Sequence, residues 1–219
     1  DVTKLHRLAG KVDGEIMNRR PFRSPHHTAS LISIVGGGNQ PKPGEVSLAH
    51  TGVLFLDEMP EYPRQTLEAL RQPLEDKKID ISRANARVSY PADFMLIATM
   101  NPCPCGYYGD QTKECTCTNN QITAYQKKLS GPLLDRIDLV VNVSKVPNEL
   151  LLNTESLSNI QHLTALKLIN LAISRQKERY KSSSKYNASL NNSDIKKYAM
   201  LTDDAKALLL TAANRLSLS

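Results

Sequence analysis

The chain has 219 residues, with 28 Lys and Arg against 22 Asp and Glu for a formal charge of +6, four Cys and no Trp. With 40% hydrophobic and 23% charged residues it has the composition of a folded globular protein, not of a disordered chain or a coiled coil. The longest apolar run, around Phe94 to Met100, is strand-sized beside the ~20 residues of a membrane span. The N-terminal DVTKLHRLAG has no apolar core of an export signal, so a soluble cytoplasmic protein without a membrane partner is expected.

Val2, Leu5, Leu8 and Val12 recur at three- and four-residue spacings and predict a helix within residues 1–18. Residues 20–50 are punctuated by Pro21, Pro25, Gly36 to Gly38, Pro41, Pro43 and Gly44 into loops, with a short strand predicted at Leu31 to Val35. GVLFLDE is a compact apolar run of the kind that forms a buried parallel strand. Pro63 then suits a helix start, and Leu67, Leu70 and Leu74 share one face of a helix to about Asp76. The arms KKIDISR and RVSYP flank Ala84-Asn85-Ala86, and the alternation of Ile79 and Ile81 with Val88 and Tyr90 predicts a β-hairpin over 77–90. FMLIATM is a second buried strand, residues 119–136 are helical, and LVVNV at 139–143 is a third core strand. Helices follow over 156–181, 193–200 and 203–216, with SSSKYN as a linker. The pattern argues for an α/β core over 1–144 and a helical subdomain over 145–219. The charge is uneven: 17 basic against 16 acidic side chains in residues 1–143, but 11 against 6 in 144–219. Scattered basic residues of this kind fit a polyanion contact or a solvated helix face alike.

The sharpest chemical signal is Asp57-Glu58 at the carboxyl end of an apolar strand, where α/β sheets place their ligands. Asp57 can hold the hydration shell of a Mg²⁺ beside a nucleotide phosphate, since Mg²⁺ takes one or two carboxylates plus waters. Glu58 can polarise an attacking water; the alternative is an ordinary capped strand end. Asn101, after the second strand, can hydrogen-bond a γ-phosphate without adding negative charge. Arg136, just before the predicted third strand, can stabilise transition-state charge on a phosphate in a neighbouring subunit, or pair with Asp135 or Asp138.

All four cysteines, Cys103, Cys105, Cys115 and Cys117, fall in one short segment. Four thiolates can close a tetrahedral Zn²⁺ site, the turns at Pro104, Gly106 and Gly109 bringing the two C-x-C pairs together. Disulfides or free thiols are the alternatives. His26 and His27 lie in a loop without a cysteine partner, which fits a surface or packing role. Lys77, Lys78, Arg83 and Arg87 on and beside the hairpin are candidates for DNA backbone contact, or for ion pairs with the interspersed Asp76 and Asp80.

RPFRSPHHTAS, GGGNQPKPGEVSLAHTGVLFLDEMPE, ATMNPCPCGYYGD and LSGPLLDRIDL together resemble the Mg-chelatase-like AAA+ ATPases, the YifB/ComM family, over nearly the whole chain. The resemblance implies a partial AAA+ P-loop NTPase core of α/β class with a parallel sheet, followed by a helical lid. It implies that Asp57 and Glu58 are the Walker B pair, Asn101 sensor 1 and Arg136 a trans-acting arginine finger. The hairpin at 77–90 corresponds to the pre-sensor-1 insertion and residues 20–44 to the helix-2 insertion, both facing the channel in related ring motors and keeping a channel-facing role open for His26 and His27. The same four-Cys insert recurs in the family, which supports structural zinc. ATP and Mg²⁺ are the implied cofactors, a homo-oligomeric ring, a hexamer, the implied assembly, and DNA translocation and branch migration in transformation or recombination the implied task. GxxxxGK[ST] occurs nowhere in the sequence, and Gly36-Gly37-Gly38 lacks the Lys and Ser/Thr that such a loop needs. The C-terminal RLSLS resembles the sequence just ahead of the sensor 2 arginine. A fragment lacking Walker A and sensor 2, inactive alone, is therefore expected. A magnesium-chelatase-like motor remodelling a protein partner and a zinc-stabilised, non-enzymatic binding module are the rival readings.

Overall fold

A computed structural model describes residues 1–12, 16–38, 40–83, 86–110, 112–143, 160–183 and 185–216. The chain divides into two units, Asp1–Asn142 and Val143–Ser219. At the centre of the first lies a parallel three-stranded sheet in the order β1 (Phe22–Arg23), β4 (Val53–Leu56), β7 (Met95–Ala98). The registers Phe22↔Val53, Val53↔Met95 and Phe55↔Ile97 put Phe22, Val53, Phe55, Met95 and Ile97 on one face and Leu54, Leu56 and Leu96 on the other, because successive strand residues alternate sides. Leu54 and Leu56 are fully buried among Ile34, Val46, Leu67, Leu70 and Leu133. The opposite face is open: Phe22 and Met95 are each 63% exposed. FMLIATM is thus a strand as expected, but only its Leu96 side packs against the core.

β1 has no counterpart among the predicted strands, and its pairing depends on a glycine. A Cβ on Gly52 would lie 1.9 Å from the Pro21 carbonyl oxygen, the same oxygen that accepts the Val53 N–H at 2.9 Å. Only glycine admits that approach of one backbone to another.

The strand predicted at Leu31 to Val35 is instead a helix, α2 (Leu31–Val35), after α1 (Val2–Leu8). Ser30 caps it, its Oγ accepting from the Ser33 N–H at 3.2 Å, and Gly36 ends it at φ 98°. The cap satisfies a helical N–H and Ile34 buries against the core, and together these override the strand preference of the isoleucines and valine. α1 is also shorter than expected. Gly10 at φ 67°, with Gly10 N–H on the Arg7 carbonyl and Lys11 N–H on the His6 carbonyl, forms a left-handed stop that closes the helix.

Gly36–Gly37 (β2) and Lys42–Pro43 (β3) form a small antiparallel ribbon, followed by α3 (Glu45–Leu48), and α4 (Arg64–Ala69) and α5 (Arg71–Asp76) follow β4. The predicted hairpin is present as β5 (Lys78–Arg83) and β6 (Ala86–Pro91), with Ile79↔Tyr90 and Ile81↔Val88 in register. Its apolar face buries Ile79, Ile81 and Tyr90 with Leu5 of α1, and the Tyr90 hydroxyl donates to the Pro41 carbonyl at 2.6 Å. The hairpin and the loops of 20–44 therefore pack as one assembly. The helical stretch 119–136 is broken into α6 (Asn119–Gln126) and α7 (Gly131–Leu134), since Gly131-Pro132 opens a new helix.

LVVNV at 139–143 is not a strand. It has no regular structure, and Leu139, Val140 and Val141 are 76–83% exposed. A strand needs a neighbour to take its backbone hydrogen bonds, and among the described residues none pairs with this segment or with the outer edge of β7. The second unit contains α8 (Ile160–Tyr180), α9 (Asn192–Tyr198) and α10 (Asp203–Leu216); the first part of the helix predicted over 156–181 lies outside the described residues. Tyr180 meets Tyr198 edge-on at 5.0 Å between ring centroids. No described helix is long and apolar enough to cross a membrane.

Candidate functional site

The carboxyl ends of β4 and β7 carry the candidate carboxylates. Register Leu56↔Ala98 sets Asp57 beside Thr99, and four hydrogen bonds tie the strand ends there. Thr99 N–H reaches the Leu56 carbonyl at 3.0 Å and Met59 N–H the Thr99 carbonyl at 2.9 Å. Glu58 N–H donates to Thr99 Oγ1 at 2.9 Å, and Thr99 Oγ1 donates to Asp57 Oδ1 at 2.5 Å. Glu58 itself sits in the left-handed region, φ 50° and ψ 51°. Such a conformation is uncommon away from glycine and concentrates at functional sites. Both carboxylates are exposed, and Asp57 has no cationic partner among the described residues, leaving its second oxygen available to a hydrated Mg²⁺.

The segment 24–30 borders this strand end. Tyr62 OH donates to the Pro25 carbonyl at 2.5 Å, the Tyr62 and His27 rings meet edge-on at 6.4 Å, and His26 lies 4.1 Å from His27. His27 Nδ1 stands 3.9 Å from Glu58 Oε2, beyond hydrogen-bonding distance but the nearest basic group to that carboxylate among the described ion pairs. Burial pushes the Tyr62 phenol up, and the Asp57 charge adds to it. Asn101 follows Thr99 by two residues on the same exit from β7 and is exposed. Its backbone hydrogen-bonds Tyr125, opposing the rise that burial gives that phenol.

Arg136 is engaged within its own chain by neither of the aspartates weighed from sequence. Its Nε donates to Glu75 at 3.1 Å and its Nη1 to the Pro132 carbonyl at 2.5 Å, and Nη2 also contacts Glu75. That guanidinium, through its hydrogen bonds and charge, holds the Glu75 carboxyl below the usual carboxylate range. On the hairpin, Lys77 pairs with Asp93 at 3.6 Å and Lys78 with Asp80 at 3.7 Å. Arg87 is exposed; the side chain of Arg83 lies outside the described set.

The four cysteines converge. Cys103 Sγ lies 3.4 Å from Cys105 Sγ and 3.7 Å from Cys115 Sγ, Cys105 lies 3.5 Å from Cys115, and all four sulfurs, Cys117 included, fall within 4.8 Å of one another. Tetrahedral Zn–S bonds of about 2.3 Å require sulfurs about 3.8 Å apart, whereas a disulfide requires about 2.05 Å, so the donor set fits a four-thiolate metal site. The crowding splits the thiols: a backbone hydrogen bond with Tyr107 brings Cys105 down to about 5. Cys115, despite a backbone hydrogen bond with Cys117, is pushed up to about 12 by burial and by Cys105 and Cys103. A bound dication would remove that competition. Cys103 is buried two residues after Asn101, on the loop that leaves β7.

Motif reading singled out Asp57, Glu58, Asn101 and the cysteines as candidates. It missed Thr99, whose hydroxyl joins the two strand ends, and the approach of His27 to Glu58. Only the proximity of Thr99 to Asn101 and the PHHT sequence hinted at either.

Residues 1–151 match the family model of magnesium chelatase, subunit ChlI. The chain belongs to this family. As a ChlI-family chain it is 47% identical over 191 residues to the uncharacterized protein YifB of Salmonella typhimurium, covering 87% of this chain and 37% of that protein. It is 46% identical over 206 residues to competence protein ComM of Haemophilus influenzae, covering 92% of this chain and 38% of that protein. The chain thus spans less than two fifths of the length of these relatives. Among solved structures, NtrX from Brucella abortus in complex with ADP matches at a TM-score of 0.38 and 22% identity, over 55% of this chain and 24% of its own.

Proposed function

We propose that the full-length protein is a ring-forming AAA+ ATPase that turns ATP hydrolysis into mechanical work, and that this chain supplies its hydrolytic strand ends. The observation that carries the reading is the pair Asp57-Glu58 at the carboxyl end of β4, hydrogen-bonded through Thr99 to the neighbouring parallel strand that leads to Asn101. Asp57 would hold the water shell of a Mg²⁺, which when bound would neutralise charge on the phosphates. Glu58 accepts the proton of the attacking water. Asn101 hydrogen-bonds the γ-phosphate, and Arg136, released from Glu75, reaches a phosphate of the adjacent subunit. The phosphate-cradling loop is supplied from elsewhere in the full-length protein. A hexamer, a cytoplasmic location and zinc in the cysteine cluster belong to this reading.

The relative named competence protein ComM supports DNA as the substrate on which the work is done, through Lys77, Lys78, Arg83 and Arg87 of the hairpin. The match to the magnesium chelatase model favours a second reading, in which the same motor remodels a protein partner. The ATPase reading is tested in the full-length protein by Glu58→Gln. Turnover is expected to fall about 100-fold or more with nucleotide binding retained; equal turnover overturns it.

A further inference from the structure

We propose that Thr99 is the positioning residue of the hydrolytic centre: one hydroxyl orients the Asp57 carboxylate and holds the Glu58 backbone in its left-handed turn. The assignment rests on the hydrolytic roles proposed for Asp57 and Glu58. The hydroxyl has a single proton, which goes to Asp57 Oδ1 at 2.5 Å. Its lone pairs are then left to accept the Glu58 N–H at 2.9 Å. The relay therefore has a direction, from the Glu58 amide through Oγ1 to Asp57, and its last link is charge-assisted and short.

Asp57 has one oxygen committed to Thr99, so the other is aimed by the bond and a freely rotating carboxylate becomes a fixed one. Glu58 adopts φ 50°, which a side chain tolerates only when its surroundings over-determine it. Here the amide on one side is held by Thr99 Oγ1 and that of Met59, on the other, by the Thr99 carbonyl. Thr99 in turn is bound to the sheet by its own N–H on Leu56, and its branched Cβ restricts χ1, so the hydroxyl has little freedom of its own. All three groups are at the exposed end of the sheet, where water can replace a missing hydrogen bond. Deleting the hydroxyl should therefore disturb orientation far more than stability.

The test uses the full-length protein with Thr99→Val, which keeps the shape and removes the hydroxyl, Thr99→Ala as a second deletion, and Thr99→Ser, which keeps the hydroxyl. At saturating Mg²⁺, Thr99→Val and Thr99→Ala are expected to lower kcat about 100-fold with KM for ATP changed less than about threefold, and Thr99→Ser to recover most of the loss. Binding of a fluorescent ADP analogue, followed against Mg²⁺ concentration, supplies a readout independent of turnover: Thr99→Val should need about 10-fold more Mg²⁺ for half the signal. Unchanged kcat, an unchanged Mg²⁺ midpoint, or a serine variant as impaired as valine overturns the assignment. So does a loss of kcat that merely follows a loss of folded protein in both deletions. Glu58→Gln run alongside separates the two readings: turnover retained there removes both, whereas turnover abolished there but kept in Thr99→Val removes the role of Thr99 alone.

Discussion

At the scale of single residues, the ion pair of Arg23 and Glu45 ties β1 to α3 in the same manner that Thr99 ties β4 to β7. Arg23 Nε and Nη2 donate to the two Glu45 oxygens at 2.5 and 2.7 Å, with Lys11 Nζ 3.6 Å away. Burial works against the charged carboxyl, but hydrogen bonding and the charges of Arg23 and Lys11 outweigh it, so Glu45 titrates below its ordinary value of 4.5. A carboxyl depressed by folding contributes stability that is complete above its unfolded value and is lost as pH falls through the lower folded one. Glu45→Gln should then cost about 1 kcal/mol at neutral pH, the modest figure reflecting solvent screening of a partly exposed pair, or about 3 °C in melting temperature. Melts of the two proteins should converge as the pH is lowered past the Glu45 titration; a gap that widens in acid would rule the pairing out. Neither this pair nor Thr99 was legible in the sequence, because each joins segments far apart in the chain through side chains of ordinary type. Asp57 and Glu58 were legible because an apolar strand ending in two carboxylates is itself a local pattern.

Elements were legible where their periodicity answered to packing. The hairpin appeared where its alternation predicted it because Ile79, Ile81 and Tyr90 share a buried face, and β4 appeared because Leu54 and Leu56 fill the core. Leu31 to Val35 misled because four apolar residues around Ser33 carry no clear period, and the Ser30 cap decided for helix. Leu139 to Val143 misled because apolar composition marks a strand only where a partner takes its backbone hydrogen bonds. The cysteine loop, 103–117, lies between these cases: its residues suggested a metal site, and the structure brings the four sulfurs within 4.8 Å of one another. Structural zinc there predicts about one equivalent of metal per chain, abolished in Cys105→Ser. Chelation should lower the melting temperature and loosen the loop after Asn101, since metal affinity in such a site is folding free energy. Less than about half an equivalent in purified protein, by elemental analysis, would count against the site.

At the scale of the whole molecule, the excess of positive charge resides mainly in residues 144–219, whereas the proposed DNA contact is the hairpin of the nearly neutral first unit. These locations make opposing predictions. Binding to phosphates releases counterions, so the slope of affinity against salt reports how many phosphates the basic side chains neutralise. Two of the hairpin lysines are already paired, Lys77 with Asp93 and Lys78 with Asp80. Both pairs are longer than 3.5 Å and both lysines are exposed, and such surface pairs are worth at most about 1 kcal/mol; an approaching phosphate can displace either carboxylate. Reversing the charge of Lys77, Lys78 and Arg87 in the full-length protein should therefore weaken DNA binding and flatten the salt slope by about 0.9 for each phosphate no longer neutralised. Reversing Lys196, Lys197 and Lys206 changes the net charge by the same amount and should leave the slope nearly as it was, if recognition belongs to the hairpin and not to diffuse attraction. The opposite ranking would transfer the DNA-binding role to the helical unit. No change in either variant would leave the magnesium-chelatase-like reading, with a protein as the object of the motor, as the better account.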